Sequence, residues 1–231
     1  MNLNSNSFEK FSNETIIISG IGRVEPGTSI DIFVMIAGKI KRKLPKVNIK
    51  FFWIGNGYFE SDLIYGIWLK VQIEFSNLKN DFFIVGNSFY KELFNRTDFF
   101  IFPGIGKEFP IFAKEALSSF KPILCFEQNS KLVDFYKESD LYNLLVSEYL
   151  DIESISDKSV NLIQKKLIDN DYFLIFLRRL SGYYLVKRNH NKSNFKFITK
   201  TFKLFKINNI NYNNLRKLIK LVKTYFKRSE N

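Results

Sequence analysis

The strongest constraint on how this chain folds is a set of short runs that are apolar almost throughout. They fall at 15–19 (TIIIS), 50–54 (KFFWI), 82–85 (FFIV), 99–102 (FFIF) and 122–126 (PILCF), with 144–146 (LLV) as a weaker sixth. A strand with one wet face alternates apolar and polar residues, whereas one that is apolar at successive positions is covered on both faces. Between the runs lie stretches of helical period at 28–43, 61–76, 88–95 and 110–119. The first of these carries Ile32, Val34, Met35, Ile36 and Ile40, with Lys39, Lys41, Arg42 and Lys43 toward its C-terminal end, where cations suit the helix dipole. Strand and helix in alternation predict an α/β fold: a doubly wound parallel sheet with right-handed crossovers and helices on both faces. Ligands on such sheets bind outside the carboxyl ends of the strands. Those ends here are rich in glycine, at Gly20, Gly22, Gly55, Gly57, Gly86 and Gly104.

Beyond residue 150 the pattern changes. Helices are expected at 154–168 and 171–186, closing a domain that spans 14–186 behind a polar segment, 1–13. Residues 187–231 form a basic tail. Residues 1–186 hold equal numbers of basic and acidic side chains, 22 of each, while the tail holds 13 Lys and Arg against the single acid Glu230. The whole excess of +12 therefore sits in the tail. Its last stretch, 212–228, places Leu215, Leu218, Ile219, Val222, Tyr225 and Phe226 at helical spacing, with lysines and arginines opposite. Such a helix suits an anionic membrane surface, and equally suits packing on the domain with its lysines in water. Nucleic acid is disfavoured as a partner because no recognised binding motif accompanies the charge.

The rarest residues exclude whole classes of chemistry. One cysteine, Cys125, rules out an internal disulfide framework and any cysteine-cluster zinc site, and fits a cytoplasmic, reducing compartment. One histidine, His190, rules out a Ser-His-Asp triad in the apolar body. The absence of an Asp-x-Asp pair leads us to expect no metal.

Four segments carry more specific information: the strand-turn-helix IIISGIGRVEPGTSIDIFVMIAGKI, then FFWIGNG at 51–57, DFFIFPG at 98–104, and GKEFPIFAKEALSSFKPILCFE at 106–127. A tight glycine turn between a strand and a helix lets backbone amides approach a phosphate, though it also serves as a plain connection. Taken together, in this order and spacing, the segments resemble the C-terminal, nucleotide-sugar-binding domain of glycosyltransferase family 4. That is the large retaining GT-B group, and the likeness is strongest to its polysaccharide-assembly members. It covers roughly residues 14–165, and its most specific piece is the Pro-x-x-x-x-Glu-Ala-Leu helix followed by Lys-Pro.

The resemblance implies a Rossmann-like domain forming one half of GT-B, and a hexosyltransferase that uses a nucleoside diphosphate sugar as donor substrate with no other cofactor. It implies that Glu115 accepts hydrogen bonds from the ribose hydroxyls, which suits an ionised carboxylate facing a diol. The partner acid of the family should fall at 107, which is Lys107, so Glu108 takes the sugar-binding role one place late. Arg23 matches the arginine that neutralises the diphosphate as it leaves. The family's following lysine falls on Thr28 and its glycine on Ser29, with Lys107 as a substitute source of charge. Gly20, Gly22, Pro110 and Ile111 complete the donor site.

A GT-B enzyme has a second, acceptor-binding Rossmann-like domain. Residues 1–13 are too few to form one. The expectation is therefore a separate acceptor-binding subunit, or a truncated, non-catalytic Rossmann scaffold peripheral to the inner face of the membrane. The acceptor of the first reading is a glycan or a lipid-linked sugar.

Overall fold

A computed structural model describes residues 14–55, 63–105, 111–119, 121–137 and 141–168. All of these belong to the first of two units, Met1–Val186; the second, Lys187–Asn231, lies outside them. So do the helices expected at 171–186 and 212–228.

Each strand forms over a run of β-branched or aromatic residues and stops at a glycine, a proline or a polar turn. β1 (Ile16–Ile21) leads to α1 (Ile30–Lys43), and β2 (Ile49–Ile54) leads to α2 (Leu63–Phe75). β3 (Phe82–Val85) runs through a short 3-10 turn into α3 (Tyr90–Arg96), and β4 (Phe99–Phe102) precedes α4 (Ile111–Ser118). The remainder is β5 (Ile123–Phe126), α5 (Ser130–Lys137), α6 (Tyr142–Leu145), β6 (Val146–Ser147) and α7 (Ile152–Ile168).

The strands make one six-stranded sheet in the order β3-β2-β1-β4-β5-β6, with every adjacent pair parallel. This is the doubly wound order expected of alternating strand and helix, and the chain reverses direction across the sheet between β1 and β4. Both faces are covered, as uniformly apolar strands require. On one face Ile17, Phe52, Ile54 and Val85 pack with Leu93 of α3. The intervening residues Ile16, Ile18, Phe51 and Trp53 join the main core with α1. There the Phe33 ring meets those of Phe51, Trp53 and Phe82 at centroid distances of 6.4, 5.5 and 5.6 Å. Each such side chain, fully withdrawn from water, contributes about 1.5–3 kcal/mol of transfer free energy.

Three local expectations need correction. α1 begins two residues later than expected, because the turn that precedes it consumes Thr28 and Ser29. Leu144 and Leu145 are helical and not extended: the Leu145 amide bonds the Leu141 carbonyl at 3.0 Å, and the last strand is Val146–Ser147. A three-residue apolar run has no period from which to tell the two apart. α5 was not anticipated, yet Leu132, Val133, Phe135 and Tyr136 are buried along it. The helix expected at 61–76 does form as α2, but Ile64, Ile67, Trp68, Val71 and Phe75 all lie exposed along it.

Candidate functional site

The carboxyl edge of the sheet at the β1–β4 boundary is where the topology opens a crevice, since α1 leaves β1 toward one side and α4 leaves β4 toward the other. The sequence-derived candidates that the structure describes are Gly20 near the end of β1, Gly22, Arg23 and Thr28 after it, and Ile111 and Glu115 on α4.

The two glycines have a packing reason to be glycine. A Cβ on Gly20 would stand 2.6 Å from the Trp53 indole, and one on Gly22 would stand 2.8 Å from the same ring. The indole fills that space and donates from Nε1 to the Gly22 carbonyl at 2.9 Å. Gly55 is more confined still, for a Cβ there would lie 1.8 Å from the Gly22 carbonyl oxygen. The ends of β1 and β2 are thus pressed backbone to backbone, with Trp53 between β1 and α1. Trp53 is a structural determinant of the edge that the sequence motif contained without disclosing its role.

After Gly22 the chain projects Arg23 into solvent and returns Val24, which is fully buried. The Arg23 guanidinium pairs with Glu25 at 2.9 Å, with its side chain 77% exposed. A tight turn follows, with Pro26 in its second position, Gly27 at φ 84° and the Thr28 amide bonding the Glu25 carbonyl at 3.3 Å. The Thr28 hydroxyl donates to the same carbonyl at 2.7 Å, so it braces the turn. Ser29 then adopts φ 65° and ψ 20°, left-handed backbone that glycine takes without strain. Its carbonyl accepts from the Phe33 amide at 3.1 Å, but its side chain makes no capping bond.

Glu115 is exposed on α4. The Tyr90 hydroxyl donates to its Oε2 at 2.8 Å. Tyr90 is the first residue of α3, half-buried, and its ring packs on Phe94 at 5.4 Å. Burial and the adjoining Glu115 carboxylate push the Tyr90 phenol well above its ordinary range, so it keeps its proton and remains a donor at neutral pH. No motif in the sequence pointed to Tyr90. Only the fold brings it to Glu115, from 25 residues away.

Lys107, Glu108 and Pro110 lie outside the described residues. Ile111 opens α4. Among the described residues no group of three or more His, Cys, Asp or Glu side chains is placed to hold a metal ion. None of the described helices is long and apolar enough to cross a membrane.

No protein-family model matches the chain, and no curated protein matches it either. Solved structures do. TarM of S. aureus, in a complex with fondaparinux, α-GlcNAc-glycerol and UDP, aligns with TM-score 0.61 and 18% identity over 85% of this chain and 36% of TarM. The C-terminal domain of LpcC, a group 1 family glycosyl transferase from Francisella tularensis, aligns with TM-score 0.59 and 16% identity over 75% of this chain and 86% of that domain. HepE of Anabaena, in complex with UDP-glucose, aligns with TM-score 0.57 and 14% identity over 74% of this chain and 44% of HepE. The chain spans only 36% of TarM but corresponds in extent to the single LpcC domain. At these identities the likeness establishes the fold. It is a Rossmann-like α/β sheet with helices around it, matching GT-B glycosyltransferase domains.

Proposed function

We propose that this chain is the donor-binding half of a retaining family 4 glycosyltransferase, moving a hexose from a nucleoside diphosphate sugar to a glycan or lipid-linked acceptor. The observation that carries the proposal is the sheet order, which brings the ends of β1 and β4 together so that Arg23 and Glu115 follow the two strands flanking the crevice. Structures of like fold bound to UDP or UDP-glucose support a nucleotide-sugar ligand. The left-handed backbone at Ser29 supports the alignment of this position with the family's glycine.

In this reading Arg23 and the amides after Gly20 and Gly22 hold the diphosphate, Glu115 the ribose, and Glu108, Pro110 and Ile111 the sugar side. Thr28 offers a hydroxyl where the family has a cation, and Lys107 supplies charge in its place. Arg23 meets the diphosphate with a competitor present, because Glu25 already occupies its guanidinium. A donor phosphate must displace that carboxylate. A separate acceptor-binding subunit completes the enzyme at the inner face of the membrane.

Calorimetric titration with UDP- and GDP-sugars tests the proposal. Binding that disappears in Glu115→Ala is expected; no binding of any nucleotide at about millimolar concentration, roughly −4 kcal/mol, would refute it.

The Arg23–Glu25 pair, with Thr28 in the place of a cation, also favours a second reading: a non-catalytic Rossmann scaffold held at the membrane by residues 187–231. Deleting 211–231 would then abolish sedimentation with anionic vesicles.

A further inference from the structure

We propose that the outward face of α2 docks on a second copy of this chain, forming a two-fold dimer through a pair of antiparallel α2 helices. This face takes no part in the donor-binding reading and does not depend on it.

A helix that is apolar all round belongs in an interior. α2 is nearly such a helix: apart from the Tyr65 hydroxyl, its polar side chains are Lys70, Gln72 and Glu74. Its inner face is accounted for. Leu69 is 1% exposed, Ile73 packs against the main core, and the Gln72 side-chain amide donates to the Asp31 carbonyl of α1 at 3.0 Å. The outer face is not: Ile64, Ile67, Trp68, Val71 and Phe75 are between 43% and 84% exposed. At about 100° per residue these five fall within an arc of about 100°, a continuous stripe along the helix. They leave on the order of 600 Å² of apolar surface bare, at the top of what a monomer ordinarily shows.

The spacing of the stripe makes it its own complement. An antiparallel two-fold pairing sets Ile64 of one copy opposite Phe75 of the other, and Trp68 opposite Val71, so that a larger side chain meets a smaller one each time. Two copies together withdraw on the order of 1,200 Å², the lower end of specific interfaces. Charge points the same way. A helix that lies on an anionic bilayer carries a polar flank rich in lysine and arginine. The charged residues of α2 are Lys70 and Glu74, which cancel, and Glu74 is itself paired with Lys79 at 3.3 Å. Such a flank favours a protein partner over a membrane.

Sedimentation equilibrium of the full chain, over about 1–200 μM at about 0.15 M salt, tests the proposal. A monomer–dimer equilibrium with a dissociation constant of about micromolar is expected. Trp68→Glu should weaken it by about thirtyfold or more, as loss of a central aromatic anchor does. Its circular dichroism spectrum and urea midpoint should stay those of the parent, because Trp68 is half exposed in the monomer. The register is read separately. Cys125 is buried, so Ile64→Cys and Phe75→Cys supply the reactive thiols. A mixture of these two variants should oxidise to a crosslinked dimer much faster than either alone, since like positions lie about 16 Å apart along the seam. Should Trp68→Glu fail to fold, Ile64→Ser and Phe75→Ser, at the most exposed positions of the stripe, give the same readout. A chain that is monomeric throughout, or a dimer indifferent to these substitutions, overturns the proposal. So does a monomeric chain whose sedimentation with anionic vesicles is abolished by Trp68→Glu, which would assign the stripe to a bilayer.

Discussion

Glycine at positions 20 and 22 shows how one residue type serves two explanations. In sequence, a glycine turn after a strand suggests a phosphate cradle; in the structure, the space beside both glycines is taken by Trp53. Gly20→Ala is therefore expected to destabilise the fold by about 1–3 kcal/mol through overpacking, measured by urea denaturation. Trp53→Leu on that background should recover part of the loss, because the obstacle is a side chain. Gly55→Ala should be worse, and Trp53→Leu should not relieve it, because the obstacle there is the Gly22 backbone. Equal rescue of both variants would show that the indole is not what confines Gly20. The binding candidates were legible singly and not as partners. Arg23 and Glu115 were singled out by the family resemblance, whereas the carboxylate beside Arg23 and the phenol beside Glu115 arise from turn geometry and tertiary packing.

The helices and strands were legible where a run was long enough to show a period. α1 and α7 were found to within two residues, and the apolar runs located β1 to β5. α5 escaped notice, and the few residues around Leu144 and Leu145 were assigned to the wrong state. Those errors lie in short segments, of eight and four residues, where the helical repeat is barely completed. The start of α1 depends on backbone conformation, which the sequence hides: Ser29 is left-handed and caps nothing with its side chain. Ser29→Gly should raise stability by about 0.5 kcal/mol, relief of the left-handed strain less the added freedom of the unfolded chain. A lower urea midpoint would mean that the Ser29 side chain contributes something the geometry does not reveal. At its other end α1 is joined to α7 by Lys39 and Lys43 reaching Glu153, and by Lys43 reaching Asp157. These two lysines hold the Glu153 carboxyl down to about 2.

For the molecule as a whole, the amino edge of the sheet carries a pH dependence unrelated to the candidate site. Lys121 donates to the carbonyls of Asn95, at 3.1 Å, and Thr97, and lies 5.9 Å from the Phe94 ring centre. Burial pushes its amine down to about 8 from 10.5; Asp98 opposes that shift and Lys166 adds to it. Below the lower value both folded and unfolded states are protonated, and stability does not depend on this group. Between the two values the folded state has released the proton that the unfolded state keeps, so stability rises with pH. Unfolding free energies of the protein and of Lys121→Met at about pH 7 and about pH 9.5 should therefore diverge in favour of the lysine form at the higher pH. A constant difference would refute the assignment.

The sheet order has a further consequence, for the order of events as the chain emerges from the ribosome. β1 receives its first neighbour when β2 appears, with Ile16 opposite Ile49. Its other neighbour is β4, where Ile18 faces Phe99 and the Asp98 side chain accepts the Ile17 amide at 2.8 Å. Until residue 99 has been made, the strand destined for the centre of the sheet has one open edge, and four of its six residues are isoleucine. An open apolar edge of this kind recruits other chains. A nascent chain paused anywhere between β2 and β4 should consequently depend on a holding chaperone, and that dependence should end abruptly once β4 can be added.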